Sequence, residues 1–287
     1  MRKLKAKSQG NTSYTIGAHT IMLPADHNLP TFQVTHRLYD RFLPVLCAAL
    51  PQDGVIVDVG ANVGDTVAAM MSVGQNPIVA IEGHRPYFDL LCTNLAHIDP
   101  THRVTPIHTL VGTGAMRGEL TPVKGTARLT ALAPGNADLA PMRTLDDLLR
   151  EQGGTIALIK VDTDGFDADV LLSGLATIQA ARPLLYWEGG TTDATNFAGM
   201  YDAIAAAGYE YVWIFDNYGN LIISEASLAA LRDFDRYIVS QYRHGCTRTM
   251  YYVDVLASTA ATLSTARSAI AAYRRDVVEA CADELAL

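Results

Sequence analysis

Four carboxylates close short apolar runs in this 287-residue chain. Asp58 follows Val55-Ile56-Val57, Glu82 follows Ile78-Val79-Ala80-Ile81, Asp162 follows Thr155–Val161, and Glu188 follows Leu184-Leu-Tyr-Trp187. Apolar, largely β-branched runs of this length read as strands buried on both faces. In an open α/β sheet the ligand lies outside the C-terminal ends of the strands, so four acids there mark one edge as a site. Asp162 and Asp164 form the closest pair. Two residues apart in extended chain, they point to one side and can take a proton or a hydrogen bond from a substrate hydroxyl. Paired acids also raise one pKa, which suits a general base. These two, with Glu188, are the candidate catalytic residues. The competing role for Asp164 is to cap the helix after Gly165.

The stretch Val55–Glu82 supplies the other half of the chemistry. Its strand runs into Gly60-Ala-Asn62-Val-Gly64, then a helical run over Asp65–Val73, then a second strand ending at Glu82. Glycines let the backbone approach a nucleotide, and a carboxylate 24 positions after Asp58 can hold two ribose hydroxyls. A dinucleotide fold wants G-x-G-x-x-G with pyrophosphate on the helix N-terminus. Here the spacing is G-x-x-x-G, with Asp58 before it and Asp65 just behind. Acids beside a pyrophosphate are unfavourable, whereas Asp58 can face a cationic amine or a water. S-adenosylmethionine carries an ammonium, a sulfonium and a ribose but no phosphate, so the stretch reads as a methyl-donor pocket. His84, two residues beyond Glu82, is the histidine nearest that ligand, and His244 is a candidate for the acceptor side.

Other chemistries fit less well. Asp162, Asp164, Asp167 and Glu188 are oxygen ligands of the kind Mg²⁺ takes, but D-x-D-G-x-D is not an EF-hand loop, and no metal is expected. There is no G-x-S-x-G. Cys47, Cys92, Cys246 and Cys281 are far apart without C-x-x-C, so they read as free thiols. A net charge of −8 argues against a duplex nucleic-acid binder, and the one basic cluster, Arg2, Lys3, Lys5 and Lys7, reads as a solvated terminus. No apolar run of membrane-spanning length and no signal-peptide core occur, which points to a cytoplasmic protein.

The elements that must position these residues alternate. Residues 13–35 read as a strand pair and an irregular loop with Asp26-His27; His36 to Leu50 reads as a helix. After Glu82 come a helix over Tyr87–Ala96 and a strand over Val104–Val111, a pattern that predicts a parallel sheet. Residues 112–141 break it with five glycines and three prolines, and read as an inserted hairpin or flap. Thr144 is an expected N-cap. Beyond Glu188-Gly189-Gly190 follow a helix over Phe197–Ala207, strands over Tyr209–Phe215 and Leu221–Ser224, a helix over Leu228–Tyr242, and a strand over Met250–Leu256. An amphipathic, alanine-rich helix over 258–280 is expected to pack on the domain or on a twin subunit, which leaves a homodimer open. Trp187, Tyr218 and the flap are candidates for stacking a sugar acceptor.

The ordered set DVGANVGDT, AIEGHRPYF, RTLDDLL and IKVDTDGFDADVLLSG resembles the FkbM-type family of S-adenosylmethionine-dependent methyltransferases, whose members read D-V-G-A-N-x-G, E-P, S-L-D and K-x-D-V-E-G-x-E. The resemblance covers about residues 20–256. It implies a Rossmann-like class I methyltransferase fold, α/β, with a mostly parallel seven-stranded sheet and an antiparallel last strand. The expected divisions are an N-terminal extension over 1–50, the methyltransferase domain over 51–257 and a C-terminal helix over 258–287. By motif, Asp58, Gly60, Asn62 and Gly64 would line the methionine part and Glu82 the ribose, and Lys160, Asp162 and Gly165 match K-x-D-x-x-G. Asp164 and Asp167 stand where the family has Glu, keeping charge but losing one methylene of reach. His84 stands near the usual proline, with Pro86 displaced. The implied activity is O-methyl transfer to a hydroxyl of a sugar, polysaccharide or natural product, a small-molecule or glycan acceptor. The alternatives are an NAD-dependent oxidoreductase and a non-catalytic binding module of the same fold.

Overall fold

A computed structural model describes residues 10–114, 118–123, 126–131, 142–189, 197–243, 250 and 252–285. The basic cluster Arg2, Lys3, Lys5 and Lys7, together with Gly190, His244, Cys246 and the whole 132–141 stretch of the insertion, lies outside them.

The chain opens with an antiparallel hairpin, β1 (Asn11–Ile16) and β2 (His19–Pro24), then two short helices, α1 (Leu29–Thr35) and α2 (Phe42–Ala48). The long helix expected over His36 to Leu50 is therefore only its second half, because Asp40 takes a positive φ of 58° that ends a right-handed helix. The loop expected near Pro30 is instead helical: proline suits the first turn, where its missing N–H has no partner to lose.

The alternating unit follows as β3 (Val55–Val59), α3 (Asp65–Met71), β4 (Ile78–Glu82), α4 (Arg85–Ile98) and β5 (Val104–His108). Next, β6 (Leu110–Val111) pairs with β9 (Met142–Arg143), and between them β7 (Gly118–Val123) and β8 (Thr126–Ala131) form an antiparallel hairpin at the expected insertion. Then come α5 (Leu145–Arg150), capped by Thr144 Oγ1 accepting from the Asp147 N–H at 3.1 Å, and β10 (Ile156–Val161). After α6 (Asp167–Leu172) and α7 (Leu175–Ala181) lie β11 (Leu184–Gly189), α8 (Phe197–Ala206), β12 (Tyr209–Asp216), β13 (Leu221–Ala226), α9 (Leu228–Arg243) and β14 (Val253–Thr259). A C-terminal run, α10 (Leu263–Tyr273), a π-helical stretch (Arg274–Val278) and α11 (Glu279–Leu285), ends the described chain.

Eight strands form the main sheet in the order β13-β12-β14-β11-β10-β3-β4-β5. The fold is the expected Rossmann-like α/β arrangement, mostly parallel, with β14 antiparallel between β11 and β12. The sheet has eight strands where the resemblance implies seven, and the one beyond that count is β13, the strand expected over Leu221–Ser224, which returns from the Asp216–Asn220 turn to pair antiparallel on the edge. Every residue of β3 and β4 is buried, as a strand covered on both faces requires.

One face carries the hairpin, α2, α3, α4 and α10 over Ile56, Leu158, Phe215 and Leu256. The other carries α5 to α9 over Val57, Ile159, Trp187 and Val255. Tyr273 of α10 is fully buried, donates to the Gly219 carbonyl at 2.7 Å and packs edge-on against Phe42, so this helix covers the sheet. Asn94 of α4 ties the hairpin to the glycine loop, accepting from the Met22 N–H at 2.8 Å and donating to the Val63 carbonyl at 2.8 Å. Cys47, Cys92 and Cys281 are free thiols, and no helix among the described residues is long and apolar enough to cross a membrane.

The central strands are also joined by charge. Asp58 of β3 and Lys160 of β10 are register partners, so their side chains share a face, and Lys160 Nζ lies 2.9 Å from Asp58 Oδ1 with both residues buried. Removing one member of such a pair leaves a buried charge uncompensated, at about 3–5 kcal/mol. Lys160→Met should therefore lower stability in a denaturant titration by that amount, and adding Asp58→Asn should restore most of it. A single substitution that leaves the midpoint unchanged would show that the pair does not hold the strands.

Candidate active site

The sequence places the site at the end of β3 through its glycines. Gly60 has φ of +83°, and a Cβ there would lie 1.9 Å from the Asp162 carbonyl oxygen, so only glycine lets the loop pass the end of β10. Lys160 Nζ donates to the Gly60 carbonyl at 3.2 Å and stands 3.5 Å from Asp162 Oδ2. One ammonium thus connects Asp58, the loop and Asp162. Burial alone would lower its pKa, but Asp58 and Asp162 outweigh burial and hold it above the usual lysine range. The second oxygen of Asp58 accepts from Thr66 Oγ1 at 2.6 Å.

These residues stand on one cavity of about 290 Å³ at the C-terminal edge of the parallel strands. Gly60, Asn62, Glu82, Lys160, Asp162, Asp164 and Glu188 all line it. Asp58, Gly64 and His84 do not. Asp58 is fully buried beneath the loop, committed to Lys160 and Thr66 rather than to a ligand amine. Gly64 turns with φ of +88° against Leu91, where a Cβ would sit 2.8 Å from Cδ1. His84 rests edge-on against Tyr87 and reaches the site only through its backbone.

Glu82 is nine-tenths buried, and its two oxygens accept from the His84 N–H at 2.6 Å and the Asn62 N–H at 2.9 Å. Burial pushes its carboxyl up to about 7 against the pull of those two amides.

Past β10, Asp164 does not cap α6, whose N-cap is Phe166. Nor does it share the pocket by strand alternation, since β10 stops at Val161 and Asp164 has a positive φ of 51°. Asp167 sits under the floor. One oxygen accepts from the Thr163 hydroxyl at 3.0 Å and the other from the Glu188 N–H at 3.1 Å, joining the loop after β10 to the end of β11. Burial, then Asp162, push it up to about 7. Burial also raises the Glu188 carboxyl, followed by the nearby Asp162, Asp167, Asp164 and Asp254. Among the described residues no three His, Cys, Asp or Glu side chains gather as a metal site.

Trp187 is 1% exposed and packs near Tyr201, so it cannot stack on a ligand. Tyr218 stacks on His36 with ring centroids 3.7 Å apart, and it is not on the cavity wall. Phe32, Tyr39, Asp40, Tyr252 and Asp254 line the cavity instead. Asp254 had a signal: a lone acid within the apolar run MYYVDVL. It was missed because β14 runs antiparallel and brings its first residues, not its last, to the site edge. His27, from the expected loop, also lines the cavity. Its Nδ1 accepts from the Leu29 N–H at 3.2 Å, which leaves Nε2 as a buried N–H without a described partner.

The family model described as the methyltransferase FkbM domain matches residues 58–211. No curated protein sequence matches the chain. Among solved structures, the methyltransferase FkbM of Methylobacillus flagellatus is 17% identical with a TM-score of 0.39, covering 80% of this chain and 58% of its own. An O-methyltransferase from Bacillus cereus in complex with SAH is 11% identical with a TM-score of 0.45, covering 80% and 88%. A TehB-like SAM-dependent methyltransferase from Corynebacterium glutamicum is 10% identical with a TM-score of 0.41, covering 81% and 96%. The family match spans more than half of the chain and contains the glycine loop, Glu82, Lys160, Asp162 and Glu188: the chain belongs to the FkbM methyltransferase family.

Proposed function

We propose that the protein transfers a methyl group from S-adenosylmethionine to a hydroxyl of a sugar, polysaccharide or natural product. The observation that carries this reading is one cavity that joins a nucleoside cradle, Gly60, Asn62 and Glu82, to an acid, Asp162, open to the same space. Each Glu82 oxygen already accepts one backbone N–H, which fixes the carboxylate, and each keeps a lone pair for a ribose hydroxyl. A dinucleotide is disfavoured by charge. Asp65, Glu82 and Asp162 face the cavity, and Lys160, the one Lys or Arg among the described lining residues, is already paired with Asp58. The buried Nε2–H of His27 is a donor that suits the methionine carboxylate.

When bound, S-adenosylmethionine supplies a methyl group on positively charged sulfur. The remaining work is alignment of the acceptor oxygen and removal of its proton as the oxygen becomes acidic. Asp162 serves that role. Its side chain is 55% exposed toward the cavity, and the Lys160 ammonium at 3.5 Å holds it in place. Asp164 and Glu188 line the same wall and orient the acceptor.

Release of S-adenosylhomocysteine over a panel of sugars, nucleotide sugars and glycans tests the reading. Asp162→Asn should keep donor affinity and lose about 10²–10⁴-fold in turnover; turnover at the wild-type rate would remove Asp162 from the mechanism. Donor binding should also follow the ionisation of Glu82. Ribose hydroxyls donate to the carboxylate form, so donor affinity falls as pH drops below about 7, by up to about tenfold per unit. The ligand-free fold moves the other way: a pKa raised from 4.5 to about 7 means the folded chain binds the proton more tightly and gains stability on acidification through that window. Calorimetry across this range should show the slope in the wild type and a flat, weaker profile in Glu82→Gln. A slope that survives in Glu82→Gln would assign it to another group.

A further inference from the structure

The acceptor half of the cavity gathers carboxyl groups that no cation on the described lining residues is free to pair. Strands β11 and β14 are antiparallel neighbours, and their register sets Glu188 directly opposite Asp254. Residues so placed carry their side chains on one face, about 4.5–5.5 Å apart at Cβ, where like charges repel. Both line the cavity. Glu188 is only 8% exposed, yet its carboxylate makes no hydrogen bond or ion pair with any described residue; only its backbone N–H is held, by Asp167. Asp254 receives one hydrogen bond, from the Tyr186 hydroxyl. Asp40 and Asp162 line the same space, and the nearest cation, Lys160, is shared with Asp58 at 2.9 Å.

Aromatic rings complete this wall. Tyr39 and Tyr252 both line the cavity, and the charges that act on Tyr252 are those of Glu188, Asp254, Asp162 and Asp40. Phe32 lies 5.3 Å from Tyr39, ring centre to ring centre. Carboxylates backed by phenol faces are the surroundings an organic cation prefers, since ring quadrupoles and anions attract it together. Burial and the neighbouring acids hold Glu188 and Asp254 toward the protonated form, and a bound cation would draw them back to carboxylates. A neutral polyol brings no such charge, and a phosphate or carboxylate on the acceptor would add repulsion.

We propose that the acceptor carries a protonated amine, held between Glu188 and Asp254 and against Tyr39 and Tyr252, beside the hydroxyl that receives the methyl group. This rests on the methyl-transfer reading and names the substrate class for it. An ammonium offers three N–H donors, enough to reach both carboxylates. While protonated it has no lone pair, so it anchors the acceptor and leaves a neighbouring oxygen as nucleophile. That oxygen faces Asp162 from β10, the strand next to β11.

The test uses the full chain with S-adenosylhomocysteine bound and three sets of probes matched in ring and hydroxyl pattern: amino sugars and aminocyclitols, their N-acetylated forms, and their phosphorylated forms. Calorimetry should give amines at least about tenfold tighter binding than their N-acetylated partners, and phosphorylated forms the weakest. Asp254→Asn and Glu188→Gln keep shape, and each should erase most of that preference at an unchanged melting temperature. Asp254→Asn should leave affinity for S-adenosylhomocysteine as in the wild type, because Asp254 lies across β11, β10 and β3 from Glu82. N-acetylated or phosphorylated forms binding as well as amines overturn the proposal. So does a preference that survives both substitutions, or amines that fail to bind at millimolar concentration. Failure of the wild type to bind S-adenosylhomocysteine would instead sink the methyl-transfer reading, with the amine series read separately on the free protein.

Discussion

The site depends on one buried ion pair. Lys160 and Asp58 face each other across β10 and β3 with almost no exposure to solvent, and Lys160 reaches on to the Gly60 carbonyl and toward Asp162. Apolar residues of similar volume can stabilise a core as well as a buried pair does. They could not position a glycine loop and a carboxylate at once. The ammonium does so because three acceptors converge on it, and the spacing follows: Lys160 and Asp162 are two apart so that both lie on the side of β10 that meets Asp58. Below this knot, Asp167 repeats the device with neutral donors, tying Thr163 to the backbone of Glu188.

Strand order divides the labour. On one side of β10 lie β3 and β4, with the glycine loop and Glu82; on the other lie β11 and β14, with Glu188 and Asp254. Asp162, at the end of the strand between, is the one acid adjacent to both halves. In the proposed mechanism the donor half is the side where backbone amides hold the Glu82 carboxyl, and the acceptor half is the side where Glu188 has no such support among the described residues.

Much of this was legible in the chain because buried strands announce themselves. Val55–Val59, Ile78–Glu82 and Ile156–Val161 are apolar runs that carry Asp58 and Glu82 or lead straight into Asp162. What was not legible depended on direction and on exceptions of backbone. An acid at the start of β14 reaches the site only because that strand is antiparallel, which the FkbM resemblance implied but which was not followed to Asp254. Period alone could not tell that Asp58 is spent on Lys160, since a strand-end acid reads the same whether it faces a ligand or an ion pair. Trp187 looked available beside Glu188, yet neighbours in a strand face opposite ways, and its side took it into the core. Asp40, with its positive φ, cut one expected helix short and put a further acid at the cavity.

The central claim is that the cavity is a phosphate-free methyl-donor site, and the most direct measurement is calorimetric titration of the protein with S-adenosylhomocysteine and, separately, with NAD⁺. The account predicts one site per chain for S-adenosylhomocysteine and no measurable binding of NAD⁺, whose pyrophosphate would meet Asp65, Glu82 and Asp162 with no free cation among the described lining residues. Binding of NAD⁺ as tight as that of S-adenosylhomocysteine, or tighter, would contradict it.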